Sequence, residues 1–286
     1  MTRTSLRGVL AVLALVLLCS CAERPDDGGE AGGPPLAPGL PDGLVLQVSY
    51  TGGFVTPEML ATRLPLVSIY SDGRVLSDGP VIAIYPGPAL PNVQVARVDE
   101  ATVRQLVEQA LAAGVAETGD LGTPPIADAA STRFTLVTAE GTHVREVYAL
   151  AEGGGGTDGL TPEQQEGRAA LAGLLDALTA TTGTSGEAYV PESVAVVSRS
   201  WTEADADPEL PQAEMTWPGP PLPGEPLEPA LGLSCLTAEG ADAAAVLEAA
   251  AAANTRTPWV AADGSRWALS FRPLLPHETG CPDLRA

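Results

Sequence analysis

The chain has 286 residues, with 36 acidic side chains against 15 basic ones and a formal charge of −21. Phosphate contacts need a basic face, so this balance argues against nucleic-acid binding and against adsorption to anionic lipid. Only two histidines occur and every basic residue is arginine, so histidine chemistry has few places to reside, and the arginine bias reads as codon usage in a GC-rich genome.

Arg3 and Arg7 precede an apolar run from Val9 to Leu18, and Ser20 stands before Cys21. The run is too short to cross ~30 Å of hydrocarbon, so it reads as an export signal rather than a membrane span. Leu18, Ser20 and Cys21 resemble the lipobox of bacterial lipoproteins, which implies that Cys21 carries acyl chains of the palmitate class and becomes the mature N-terminus. Cys19 would then leave with the signal, because Leu18 is too large to precede the modified cysteine. Ordinary cleavage without lipid is the alternative. Two acyl chains, at ~0.8 kcal/mol per buried methylene, hold a protein durably where one does not. Residues 1–20 are thus the expected signal and 21–42 a lipid-anchored, disordered tether. Ala22 to Leu40 is rich in Pro, Gly, Asp and Glu and cannot bury enough surface to offset its ordering entropy. Such a tether spans about 25 Å on average.

An α+β domain is expected over 43–183. Leu44 to Tyr50 reads as a strand with Leu44, Leu46, Val48 and Tyr50 on one face. Leu66 to Tyr70 is a second strand, and Ser71-Asp72-Gly73-Arg74 predicts a hairpin through a type I′ turn. Val75 and Leu76 begin the return strand, and Val81 to Tyr85 is expected to continue it or add another. Pro86 to Pro91 cannot pair on a ladder. Asp99 caps a helix whose stripe is Val103, Leu106, Val107, Ala110 and Leu111, with Val98 and Val103 as a staple and Gly114 as its stop. A hairpin over Arg133 to Leu150 turns at Glu140-Gly141. Thr161-Pro162-Glu163-Gln164 opens the next helix with a capping box, and Leu171, Leu174, Leu175 and Leu178 form its core stripe.

The stretches Leu64 to Val75 (LPLVSIYSDGRV) and Ile84 to Pro91 (IYPGPALP), with the lipobox, resemble a family of actinobacterial lipoproteins that has no established activity. The resemblance covers about residues 44 to 150. It implies class and location at the outer face of the cytoplasmic membrane, and no mechanism.

Gly183 to Glu187 reads as a boundary, followed by a smaller α+β unit over 188–286. Its elements are a strand at Val194 to Trp201, an irregular acidic and Pro-rich passage from Glu203 to Pro229, and a strand at Leu231 to Leu236. An alanine-rich helix at Asp242 to Ala253 and a hairpin over Trp259 to Phe271 complete it. Antiparallel hairpins packed with a few helices, in one or two related units, are the expected architecture. With Cys21 lipidated, Cys235 and Cys281 remain. An extracytoplasmic compartment permits a disulfide between them, contributing about 4 kcal/mol in the loop model; two buried free thiols are the alternative.

No motif carries chemistry. The chain has no Gly-x-Ser-x-Gly elbow, and Gly153 to Gly156 has no Lys-Ser or Lys-Thr after it. Asp205, Asp207 and Glu209 alternate as calcium-loop ligands would, but Leu210 and Thr216 stand where a glycine and a bidentate glutamate are needed. His143 and His277 are isolated, and only His277 lies near a cysteine. Trp201, Trp217, Trp259 and Trp267 read as core or strand packing before a ligand groove, and Trp217 to Pro223 as a rigid connector before a polyproline ligand. No catalytic, cofactor or metal residues are therefore assigned. The expectation is a non-catalytic binding or scaffolding lipoprotein, partnered by membrane lipid through acylated Cys21 and by an envelope protein, and not by nucleic acid. The alternatives are a carboxylate-dependent hydrolase of envelope polymer and a solute-binding lipoprotein.

Overall fold

The computed structural model describes residues 40–152, 158–183 and 186–284. The expected signal, the expected lipidation site Cys21 and the expected tether up to residue 39 lie outside the described residues. The fold is α+β, with two sheets and four helices among the described residues.

Seven strands form the first sheet: β1 (Leu44–Gly52), β2 (Val67–Tyr70), β3 (Arg74–Asp78), β4 (Val93–Arg97), β5 (Ala130–Thr138), β6 (Gly141–Tyr148) and β7 (Glu187–Ala188). Their spatial order is β6-β5-β1-β2-β3-β4-β7, with every pair antiparallel. A register shift between Leu44 and Leu46 interrupts simple alternation in β1, so Val45 and Leu46 are both fully buried. The β2–β3 hairpin closes with Gly73 N donating to Tyr70 O at 3.0 Å. Only Gly73 there has positive φ (+80°), so the turn is not the expected type I′, which needs two such residues. A Cβ on Gly73 would sit 2.3 Å from the Val98 carbonyl oxygen, which demands glycine for a second reason.

Val81 to Tyr85 does not form a strand. Asp78 pairs directly with Val93 on β4 and Gly79 N donates to Asn92 O. Pro80 then has no N–H to continue the ladder, and residues 80–85 are exposed loop. Two helices cover one face of this sheet: α2 (Glu100–Ala112) and α3 (Pro162–Ala180). Asp99 caps α2 by accepting from Thr102 N at 2.8 Å. Thr161 and Gln164 make the expected capping box on α3. Val103, Leu106, Val107, Ala110, Leu171, Leu174 and Leu178 bury against Leu46, Val48, Phe134 and Leu136. Each such side chain contributes about 1.5–3 kcal/mol on burial. Leu111 departs from the expected stripe and is 46% exposed. Val115 takes the buried place at that helix end, its N–H returning to Ala110 O.

The second sheet contains β8 (Ser193–Ser200), β9 (Met215–Thr216), β10 (Glu225–Glu228), β11 (Leu233–Glu239), β12 (Trp259–Val260) and β13 (Arg266–Pro273). Its order is β10-β11-β8-β13-β12-β9, with only β9–β12 parallel. The expected irregular passage thus supplies both edge strands. Pro226 is tolerated in β10 because an edge strand pairs on one side only. Helix α4 (Gly240–Ala251) packs Ala243, Val246 and Ala250 onto one face, around Trp217, Trp259 and Phe271. Trp259 is fully buried, and its ring meets Trp217 and Phe271 edge-on at 5.9 and 5.5 Å, the preferred geometry for aromatic pairs.

Candidate functional site

The site is built where the uncovered faces of the two sheets are bridged by two short segments. One is α1 (Pro57–Thr62), which lies over β8 and β13. Its N-cap Thr56 accepts from Met59 N, and Pro57 stands at the first helical position, where its missing N–H costs nothing. Glu58 Oε1 takes Arg199 Nε of β8 at 2.7 Å. Arg199 also holds Asp205 by both Nη atoms, and that pairing draws the Asp205 carboxyl down to about 2. Asp205 is thus an ion-pair anchor.

The second bridging segment is the C-terminal strap, Leu274 to Leu284. Leu275 packs with Tyr70, Leu76 and Val93 of the first sheet. Leu274, Cys281 and Leu284 pack with Ala195, Val197, Leu233 and Cys235 of the second. Cys235 and Cys281 are disulfide-bonded, with Cα atoms 5.9 Å apart, so the strap is stapled to β11. Cys281 N donates to Thr237 Oγ1 at 3.2 Å. Gly280 (φ +151°) fits because a Cβ there would meet the same oxygen at 2.6 Å.

A buried ion pair fastens the strap's start. Arg272 Nη2 meets Glu278 Oε1 at 2.6 Å, with side chains only 3% and 9% exposed. Glu278 Oε2 accepts from Leu275 N at 2.7 Å, and Arg272 Nη1 donates to Pro273 O. The Arg272 Nε is buried without a hydrogen-bond partner among the described residues. Burial lowers the pKa of this guanidinium, and the charge of Glu278 pulls it back up.

His277 sits beside that pair. Its Nδ1 lies 2.8 Å from the Tyr70 hydroxyl and its Nε2 3.3 Å from Gln47 Nε2. Gln47 Nε2 also donates to Ser68 Oγ. With the amide donating to Nε2, the ring carries its proton on Nδ1 and donates it to Tyr70. Burial pushes the Tyr70 phenol far up, with Glu278's charge adding to the effect, so Tyr70 stays a neutral hydroxyl. Partial desolvation lowers the imidazole of His277, which favours the neutral ring this geometry requires.

Two adjoining hollows open here. An apolar groove of about 450 Å³ runs between α1 and the β10–β11 edge, walled by Leu60, Ala61, Leu227, Leu231, Leu233 and Leu284. A polar pocket of about 190 Å³ lies beside it, and Leu60, Ala61 and Leu284 line both. Gln47 and Ser49 of β1 and their partners Thr135 and Arg133 of β5 form its floor. Arg63, Arg272, Glu278 and Asp283 form its walls. Burial acts upward on Asp283, but hydrogen bonds from Thr279 and Gly280 outweigh it and hold the carboxyl below its usual range.

Comparison of the chain with protein-family models, curated proteins and solved structures finds no match. No cluster of three or more His, Cys, Asp and Glu able to hold a metal occurs among the described residues. Of the residues singled out in the sequence, the structure brings Cys235, Cys281 and His277 to the site. His143 lies on the edge strand β6, paired with Leu136. Trp217 is buried and donates to Pro220 O, while Pro218 and Pro221 are exposed. Gln47, Arg63, Tyr70, Arg272 and Glu278 escaped sequence reasoning. One signal existed: Arg272 interrupts the apolar end of β13 and Glu278 follows six residues later, a spacing suited to pairing across a turn.

Proposed function

We propose that the protein is an exported lipoprotein of the cell envelope whose folded part is a non-catalytic binding module, with the groove beside α1 as its binding site. The observation that carries this reading is the groove itself: about 450 Å³ of leucine-walled, open space in a chain of charge −21. Small-molecule sites typically enclose ~300–1,000 Å³ and are largely apolar with a few placed polar groups, and this hollow has both features. The adjoining carboxylates serve structure. Glu278 is tied to Arg272 and Leu275, and Asp283 is held below its usual range, whereas a glycosidase acid needs a raised carboxyl. No helix among the described residues is long and apolar enough to cross a membrane, so in this reading attachment falls to acylated Cys21.

Two expected outcomes test the reading. Cys21→Ser releases the protein from membrane fractions or leaves it as uncleaved precursor; a variant processed and anchored as before removes the lipoprotein assignment. N-phenylnaphthylamine, a neutral apolar fluorophore, binds the purified chain saturably at one site, and Leu227→Asp abolishes its emission gain while the far-ultraviolet circular dichroism is retained. Emission that rises linearly without saturation, or is unchanged in Leu227→Asp, defeats the groove as a binding site.

A further inference from the structure

We infer that the cleft takes a single-chain amphiphile, its alkyl chain in the leucine groove and an anionic carboxylate or phosphate head in the polar pocket. This rests on the binding-module reading and adds the chemical class of the ligand.

The argument starts from continuity. Leu60, Ala61 and Leu284 line both hollows, so a chain seated against the apolar walls places its head beside the polar pocket. Each methylene placed in the groove contributes about 0.8 kcal/mol. The groove's volume, about 450 Å³, suits one alkyl chain.

Charge decides the head group. Asp283 already accepts from Thr279 N, Thr279 Oγ1 and Gly280 N, and Glu278 accepts from Arg272 and Leu275. Both pocket carboxylates are therefore spent on the strap. The cations are less occupied. Arg63 donates from Nη1 to Gly52 O at 3.0 Å and has no acidic partner among the described residues. A guanidinium carries five donors in a planar fork suited to carboxylate or phosphate. Arg272, 2% exposed, lines the same pocket with an unpartnered Nε. Gln47, Ser49 and Thr135 add neutral polar groups on the floor. On a surface that otherwise repels anions, this end of the cleft reverses the local sign. A cationic head in the polar pocket would meet Arg63 and find both carboxylates there already bonded, while Glu228 stands on the wall of the apolar groove.

Free fatty acids and lysophospholipids share this chemistry, and the probes separate them. The mature chain, directed out of the cytosol by a non-lipoprotein signal and carrying Cys21→Ser, is titrated calorimetrically with dodecanoate, dodecyl phosphate and lauroyl lysophosphatidylglycerol below their micelle concentrations. Dodecyltrimethylammonium and dodecyl maltoside are the head-group controls. The expected result is one site per chain, with the anionic probes bound at least about tenfold tighter than the cationic one, equivalent to ~1.4 kcal/mol. Tighter binding of dodecanoate than of the lysophospholipid identifies a fatty acid, and the reverse order a phosphate head. Arg63→Glu removes the preference, Arg63→Lys keeps most of it, and Leu227→Asp weakens every probe. Equal affinity for all heads, or an Arg63→Glu variant as selective as the parent, overturns the anionic-head inference and leaves the groove standing. Failure of every probe to bind overturns both.

Discussion

Replacing Glu278 with alanine lowers the free energy of unfolding by about 3–5 kcal/mol, read as a shift of the urea midpoint without loss of slope. The reason is asymmetric. Arg272 and Glu278 are 3% and 9% exposed and 2.6 Å apart, so removing the carboxylate leaves a guanidinium buried with only the Pro273 carbonyl as acceptor. Leu275 N also loses its acceptor, and an unmade buried hydrogen bond costs about 1–3 kcal/mol. Glu278→Gln retains an acceptor oxygen and falls between alanine and the parent. Arg272→Met combined with Glu278→Leu recovers much of the loss, because it removes both charges together. A Glu278→Ala midpoint within about 0.5 kcal/mol of the parent would show that water reaches Arg272 and that the pair is not a buried anchor.

Removing the disulfide has an effect of similar size. Cys235→Ala with Cys281→Ala, or reduction of the parent, is expected to cost about 2–5 kcal/mol. The bond closes a segment of 46 residues, which the chain-entropy model values at about 4 kcal/mol. It also holds the strap: Cys281 and Leu284 pack beside Cys235 and Leu233 on the back of the second sheet. Amide exchange after reduction therefore rises first between Leu274 and Leu284 and along β11, and N-phenylnaphthylamine binding weakens because Leu284 is a groove wall. Uniform exchange acceleration across both sheets would mean the bond acts only through the unfolded state and not on the strap.

The two predictions involve residues that differ in how readable they are from the chain. Cys235 and Cys281 were open to arithmetic, since the expectation of an exported, Cys21-lipidated chain leaves two cysteines and one pairing. Glu278 was not, because a single acidic residue among 36 announces nothing until Arg272 is known to be buried. His277 was visible as one of two histidines. Its partners Tyr70 and Gln47 lie more than 200 residues away in the chain, and no local pattern links them. The groove is hidden for the same reason. Leu60 and Leu227 come from opposite halves of the chain, and each alone looks like any half-buried leucine.

Local chemistry determined the elements whose causes are local. The capping box at Thr161, the Asp99 cap and the α2 stripe apart from Leu111 stand as the residues dictate, and the β5–β6 hairpin forms with its turn one residue earlier than expected, at Ala139-Glu140, because caps, turns and periodicity act over a few residues. Proline was a less reliable guide: Pro226 lies in a strand and Val81 to Tyr85, apolar throughout, does not. Edge position excused the first, and the direct pairing of β3 with β4 left no ladder for the second. The sequence by itself therefore determined an α+β chain of hairpins and capped helices, an acidic surface and a pair of cysteines. Only the tertiary structure decided that α1 and the C-terminal strap bridge the sheets, that Arg272 is buried, and that Arg63, without an acidic partner among the described residues, lines a polar pocket beside an apolar groove. Those facts depend on contacts between residues far apart in the chain, and their free energies exist only once the intervening segments have closed.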